Sequence, residues 1–293
     1  MSHRPVLLTE VVDLLDPHDG GIYVDGNLGM GGHSREILKR SAPSGRVIGF
    51  DWDEAALVMA RDNLSEFGDR VRFVHDNFAV MPERLAELGI KKIDGLLLDL
   101  GLSSYQLDSR ERGFSFQGSQ PLDMRMDKRR PLTAAKLLNS ASLEDLADIF
   151  YLYGEERQAR RIAAFVVESR RKRQFVTTDQ LVEVVERAIP RKFRPKKIHV
   201  ATKVFQALRI AVNGELDNLL KILEQAPQML KNEAKFCVIS FHSLEDRLVK
   251  RVFQTNPALS MVTRKPVVAG EDELRDNPRA RSAKLRMAKR EAV

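Results

Sequence analysis

Val24-Asp25-Gly26-Asn27-Leu28-Gly29-Met30-Gly31-Gly32 is the stretch on which the reading of this chain turns. Ile22-Tyr23-Val24-Asp25, which opens it, has the β-branched and aromatic character of a short strand, and a helical pattern follows from about His33 to Lys39. A glycine-rich turn from strand to helix lets a ligand approach the backbone and offers it the amides of the helix N-terminus. Such turns are common and many bind nothing. A second feature strengthens the reading: Asp51 ends another strand, Arg46–Asp51, 20 residues beyond Gly31. A carboxylate at that place can hold both hydroxyls of a ribose.

The spacing narrows the ligand. The glycines run Gly26-x-x-Gly29-x-Gly31-Gly32, which does not fit the dinucleotide pattern G-x-G-x-x-G. Asp25, ahead of the turn, suits a ligand without a pyrophosphate and could face the cationic amino-acid half of S-adenosylmethionine. A nicotinamide-dependent oxidoreductase is the weaker reading.

Working outward, strands and helices alternate. Glu54 to Leu64 reads as a helix, Val71 to His75 as a third strand, Met81 to Leu88 as a third helix, and Gly95 to Asp99 as an apolar strand covered on both faces. The alternation implies βαβ units and a parallel sheet. Phe78, just past the third strand, either stacks on an adenine or caps the core of the sheet. Asp99, at the carboxyl end of the fourth, either lies in the ligand crevice of an open α/β sheet or caps a helix.

From Ser104 to about Pro131 the sequence reads as loop, and from Thr133 to Asn213 as helices at Leu143–Tyr153, Glu156–Lys172, Thr178–Ala188 and Val200–Val212, with Thr178 as a capping residue. Strand character returns at Phe236–Ser240, with a hairpin arm expected at Ser260–Val268. The expected organisation is an α/β domain in two parts, residues 1–103 and 215–293, interrupted by a helical insertion, residues 104–214. Charge supports the division. The chain carries a net +7, and residues 104–214 hold 22 of its 48 Lys and Arg but 13 of its 41 Asp and Glu. The dense runs are Arg125–Arg130, Arg170–Arg173 and Arg191–Lys197, and three in one segment favour a polyanion partner over solvated helix faces. A second basic patch is expected from Arg279, Arg281, Lys284, Arg286, Lys289 and Arg290.

Composition excludes other classes. The chain is 43% hydrophobic and 30% charged, a globular balance. No apolar run approaches the roughly 18 residues of a membrane span, and Met1–Pro5 lacks the apolar core of a signal peptide. The single cysteine, Cys237, forms no internal disulfide and fits a reducing compartment, so a cytoplasmic location is expected. Without a Cys-x-x-Cys, and with six histidines at no ligand-like spacing, no metal site is expected.

At this point the residues resemble a known family. Asp25-Gly26 with Gly29-x-Gly31-Gly32-His33-Ser34 is similar to the opening motif of the RsmH (MraW) family, the 16S ribosomal RNA cytosine-N4 methyltransferases. Further matches are Leu97–Gly101 with Ser103, Ser104 and Gln106–Asp108; Glu111–Phe116; Pro121–Asp127; Tyr153–Arg157; Phe205–Asn213; Ile239–Arg247; and Asn277–Ser282. The resemblance implies a class I (Rossmann-like) S-adenosylmethionine-dependent methyltransferase sheet with an inserted all-helical domain facing RNA. It implies a decoding-centre cytidine of 16S rRNA in the small ribosomal subunit as substrate. It also carries cofactor contacts onto Gly31, Gly32, His33, Asp51, Phe78, Asp99 and Gln106.

Methylating an exocyclic amine needs the nitrogen lone pair localised and aimed, and an acceptor for its N–H. Asp99 is the candidate catalytic residue, touching the cofactor, the target amine or both. Methylation at cytosine C5 would need a cysteine nucleophile, and Cys237 lies in an apolar strand. Phe114 and Phe116, beside Arg112, either stack on the extruded base or pack the loop. His242 either lines the crevice or bonds locally. A DNA amino-methyltransferase and a silent RNA-binding assembly factor are the rival readings, and monomer and homodimer both stay open.

Overall fold

The computed structural model describes residues 5–102, 109 and 111–292. The chain divides into two compact units, Met1–Ser103 with Leu216–Val293, and Ser104–Glu215. In the first, α1 (Leu8–Leu15) precedes β1 (Ile22–Asp25), α2 (Gly32–Arg40), β2 (Arg46–Asp51), α3 (Glu54–Asn63), β3 (Val71–His75), α4 (Met81–Glu87) and β4 (Ile93–Asp99). In the second lie α5 (Ala134–Ser140), α6 (Leu143–Leu152), α7 (Ala159–Lys172), α8 (Thr178–Ala188) and α9 (Thr202–Asn213). The chain returns through α10 (Glu215–Met229), β5 (Leu230–Ser240), α11 (Ser243–Thr255), β6 (Leu259–Met261), α12 (Glu271–Asp276) and β7 (Lys284–Arg290).

The strands form one seven-stranded sheet in the order β3-β2-β1-β4-β5-β7-β6. The first five are mutually parallel, and β7 runs antiparallel to both β5 and β6. This is the expected class I methyltransferase sheet. Successive strands step outward from β1 to β2 and β3, then restart on its other side with β4. That reversal opens a crevice at the carboxyl ends of β1 and β4, where open α/β sheets bind ligands.

Side-chain alternation splits the core into two layers. Leu96 and Leu98 of β4, with Phe236 and Val238 of β5, face α4, α10 and α11 through Met81, Leu85, Ile222, Leu223, Val249 and Phe253. Leu97, Cys237 and Ile239 face α1, α2 and α3 through Val11, Leu15, Ile37, Leu38 and Leu57. A strand buried on both faces needs apolar residues at every position, which is why β4 reads as an unbroken apolar run. Cys237 is fully buried and burial pushes its thiol up to about 12, so it offers no thiolate at neutral pH.

Several boundaries differ from the sequence expectation, each for a local reason. The cap of α8 is Thr177, not Thr178, because Gln180 Oε1 accepts from the Thr177 amide at 3.1 Å in a capping box. Helix α7 starts at Ala159, after a turn in which Glu155 is left-handed (φ 49). There is no hairpin arm at Ser260–Val268: β6 ends at Met261 and pairs with β7, and Val267 makes one isolated bridge to Leu285. The basic patch expected at the C-terminus is largely β7 itself. Arg286 is 4% exposed and bonds Asp246 of α11 at 2.7 Å, Lys284 reaches the same carboxylate at 3.2 Å, and Lys289 pairs with Glu233.

In the second unit the helices pack around Leu146, Phe150, Ile162, Val166, Leu181, Val204 and Leu208. A buried polar knot joins the Pro121–Asp127 segment to the end of α9. Asn213 Oδ1 accepts from the Met126 amide at 2.8 Å while its Nδ2 donates to the Met124 and Arg209 carbonyls. The buried Arg112 guanidinium donates to the carbonyls of Arg125 and Met126. These motif residues hold a loop in place, and Met124 is left-handed within it at φ 60.

Candidate cofactor and catalytic site

The glycine-rich turn after β1 is clamped by its neighbours. The Gly26 amide donates to the Leu97 carbonyl and the Leu28 amide to that of Phe50, both at 2.8 Å. The Gly29 amide donates to Asp51 Oδ2 at 2.9 Å. Gly29 is left-handed (φ 53), and a β-carbon there would meet nothing within 4 Å, so this turn of the loop is open. Gly31 is left-handed too (φ 83) and caps α2, but a β-carbon on it would strike Leu64, and one on Gly32 would strike Pro5. Those two glycines let the loop pack closely against the protein as well as leaving their backbone bare.

Strand ends bring acidic groups to this edge. Asp25 is 1% exposed, and its Oδ2 accepts from the Ser34 hydroxyl at 2.8 Å. Burial raises its titration, opposed by His33 and the Ser34 hydroxyl. Asp51 is pushed up to about 7 by burial, despite amides from Asp53 and Gly29 that favour its ionised form. Asp99 is likewise pushed to about 7 by burial, against the Gly101 amide, with the charge of Glu245 adding to the rise. His33 is buried beside them, its Nδ1 3.8 Å from Asp99 Oδ2. The Asn27 side-chain oxygen is buried with no hydrogen-bond partner among the described residues.

Two buried carboxyls, Asp25 and Asp51, and the partly buried Asp99, none with a Lys or Arg partner among the described residues, join an orphaned amide oxygen and an open glycine turn in a site short of donors and positive charge. S-adenosylmethionine supplies both, with its sulfonium, its ammonium and its ribose hydroxyls. The residues present fit that group.

Of the other sequence-derived residues, Phe78 follows β3 in a short helical turn capped by Asn77; it is 6% exposed and belongs to the core beside Gly26. Asp76 is held by Arg84. Gln106 and the rest of residues 103–108 lie outside the described residues. His242 caps α11: its Nδ1 accepts from the Glu245 amide at 3.4 Å while Glu245 Oε2 accepts from the amides of Phe241 and His242. Local bonding therefore accounts for its orientation. In the second unit Phe114 is buried, and Phe116 stacks on His199 with ring centroids 4.6 Å apart. Sequence reading missed Asn27, Ser34 and Glu245 as site residues. All three stood inside quoted stretches, but only the folded geometry aims them.

The basic runs of the second unit are partly consumed by its own backbone. Arg125 and Arg130 bond carbonyls of the loop and of Asn213, Arg170 bonds those of Leu138 and Ala141, and Arg194 those of Glu186 and Ile189. Lys128, Arg171, Lys172, Arg173, Arg191, Lys192, Lys196 and Lys197 remain exposed.

Sheet order, switch-point crevice and acidic nucleoside site define a class I methyltransferase whose methyl donor is S-adenosylmethionine. The model of the MraW methylase family matches residues 1–291, and the chain belongs to that family. It is 57% identical over 288 residues to a ribosomal RNA small subunit methyltransferase H of Desulfotalea psychrophila, covering 98% of each chain. It is 50% identical to the protein of the same name from Geobacter sulfurreducens (99% of each), and 50% identical to that from Trichormus variabilis (99% and 92%). Among the described residues no helix is long and apolar enough to cross a membrane.

Proposed function

We propose that this protein methylates the exocyclic N4 amine of a decoding-centre cytidine in 16S rRNA, within the small ribosomal subunit and in the cytoplasm. The observation that carries the reading is the acidic crevice at the ends of β1, β2 and β4, taken with the small-subunit rRNA methyltransferase relatives that match the chain end to end. S-adenosylmethionine supplies an electrophilic methyl group, and the protein's residues do the rest. Asp51 accepts the ribose hydroxyls, Asp25 faces the cationic amino-acid half, and Gly31, Gly32 and His33 line the turn that holds it. Phe78 and Gln106 complete the contacts by resemblance.

Asp99 accepts a hydrogen bond from the target amine and then its proton. Because its carboxyl titrates near 7, a useful share is ionised at neutral pH and is basic enough to take that proton. Alignment of amine and methyl supplies up to roughly 7–11 kcal/mol of the barrier in favourable cases. Cysteine-dependent C5 transfer is not part of this reading, since Cys237 is buried and protonated. No step uses a metal ion. The exposed cations of the second unit neutralise rRNA phosphates, which positions the subunit without reading sequence.

The test is transfer of labelled methyl from S-adenosylmethionine to small subunits that lack the modification, to naked rRNA and to DNA, with nucleoside analysis of the product. Label as N4-methylcytidine from the particle supports the proposal. Label on DNA alone makes the protein a DNA amino-methyltransferase, and tight cofactor binding without label on any acceptor makes it a silent binding factor.

A further inference from the structure

One ring in the cofactor site is tied to a distant part of the chain. His33 Nε2 lies 3.0 Å from the carbonyl oxygen of Val6. A carbonyl only accepts, so Nε2 carries the hydrogen, and in the neutral ring Nδ1 is left as a bare acceptor. Burial keeps the ring neutral, holding its titration below the usual imidazole range against the opposing pull of Asp25, the Val6 carbonyl and Glu273. That bare nitrogen is the one facing Asp99 Oδ2 at 3.8 Å.

The Val6 carbonyl belongs to a strained turn. Leu7 is fully buried and left-handed at φ 53, a region costly for a branched side chain and held only where its surroundings over-determine it. What holds it is Glu273 of α12, 266 positions along the chain, whose Oε1 accepts from the Leu7 amide at 2.8 Å. Pro5 closes the same turn against Gly32, the residue just before His33. The strap from Pro5 to Leu7 thus has one face on the cofactor loop and its backbone pinned from α12.

We propose that His33 and Asp99 form a proton-accepting pair, and that Glu273 is the positioning residue that sets its geometry through Leu7 and Val6. The proposal rests on the methyltransferase reading above. In the step it describes, an N–H bond of the newly methylated amine breaks and its electron pair stays on nitrogen. The proton moves to a carboxylate oxygen of Asp99, then to the bare Nδ1 of His33, and leaves to water. Among the described residues, Asp25 from β1, Asp99 from β4 and Glu273 from α12 face His33, and Glu245 from α11 faces Asp99. Asp25 offsets the positive charge while the proton is on the ring. The 3.8 Å separation closes to a hydrogen bond when Asp99 carries the proton, as apo catalytic pairs commonly tighten in the working complex.

Glu273→Gln keeps an acceptor at the Leu7 amide and Glu273→Ala removes it, so the two variants separate positioning from bulk. Glu273→Gln removes a charge that favours the protonated ring, which only deepens the neutrality of His33, so the acid limb of the kcat–pH profile, set by Asp99, and the melting temperature are expected to stay as in the wild type. Glu273→Ala frees the strap and lets Nδ1 take the hydrogen and donate it to Asp99, which favours the carboxylate. Its kcat is expected to fall about tenfold, the scale of one lost hydrogen bond to a charged group, and the acid limb of its profile to move to lower pH. A purely structural role would lower the active fraction without moving that limb, so an unmoved limb overturns the proposal whatever happens to kcat.

Nitrogen NMR of the wild-type ring gives a second reading that needs no variant to fold. Hydrogen on Nε2 and a bare Nδ1 near neutral pH are expected, and hydrogen on Nδ1 overturns the pair. Absence of methyl transfer from the wild-type enzyme to every acceptor would defeat the function and the pair together. Transfer with an unmoved limb would defeat the pair alone.

Discussion

In the cofactor site proposed above, Asp51 is expected to set the pH behaviour of binding. Its folded carboxyl titrates near 7, against 3.8 for an ordinary aspartate, so between those values the native state holds a proton that the unfolded chain has lost. The stability contributed by this group is therefore full below about pH 3.8 and is lost as pH rises through about 7. Under the proposed assignment ribose hydroxyls donate to the ionised form, so cofactor binding is expected to pull the proton off. Affinity for S-adenosylmethionine is expected to rise with pH through neutrality, with proton release visible by calorimetry in buffers of differing ionisation heat. Affinity flat across that range would contradict the assignment, and Asp51→Asn is expected to remove the dependence. At Asn213 the issue is satisfaction of buried groups. Asn213→Ala leaves the Met126 amide and the Met124 carbonyl without that partner, at about 1–3 kcal/mol each, and a loss of about 2–6 kcal/mol should appear in denaturant titration.

Strand β7 shows what an element can hide. Lys284-Leu285-Arg286-Met287-Ala288-Lys289-Arg290 reads as a basic tail, yet it fills the antiparallel slot beside β5. Its Arg286 is buried because Asp246 at the start of α11 meets it; burial alone would raise Asp246, but Arg286 and Lys284 outweigh it and hold the carboxyl below its ordinary range. That contribution is present above about pH 3.8 and is lost as pH falls below it. Arg286→Met, which leaves Asp246 with Lys284 as its remaining cation at 3.2 Å, is expected to cost about 1–3 kcal/mol in thermal or denaturant unfolding; a neutral effect would show that Lys284 alone suffices. Strands β1 to β4 were legible to within two residues: β1, β2 and β4 because burial on both faces forces their apolar runs, and the half-buried edge strand β3 by its β-branched and aromatic residues. Helix α1 went unread, and the link from Leu7 to Glu273 left no trace, since a bond spanning 266 positions has no local pattern. Asp25, Asp51 and Asp99 were visible as strand-ending carboxylates, whereas Asn27 became notable only through its unpartnered oxygen.

On the scale of the whole molecule, charge separates the two jobs of the chain: acidic groups gather at the sheet edge, while the exposed cations of residues 104–215 suit a polyanion. Neutralising Lys192, Lys196 and Lys197 together is expected to weaken binding to small subunits and to flatten its salt dependence, by about 0.7–0.9 in slope for each phosphate no longer neutralised. Cofactor affinity should be unchanged. An unaltered slope would mean that RNA is held elsewhere. The most direct test of the central claim is nucleoside mass spectrometry of small-subunit rRNA from cells lacking this gene, complemented with the wild-type protein or with Asp99→Ala. The account expects N4-methylcytidine to return with the wild-type protein and to stay absent with the variant. Restoration by Asp99→Ala, or no restoration by the wild type, would contradict it.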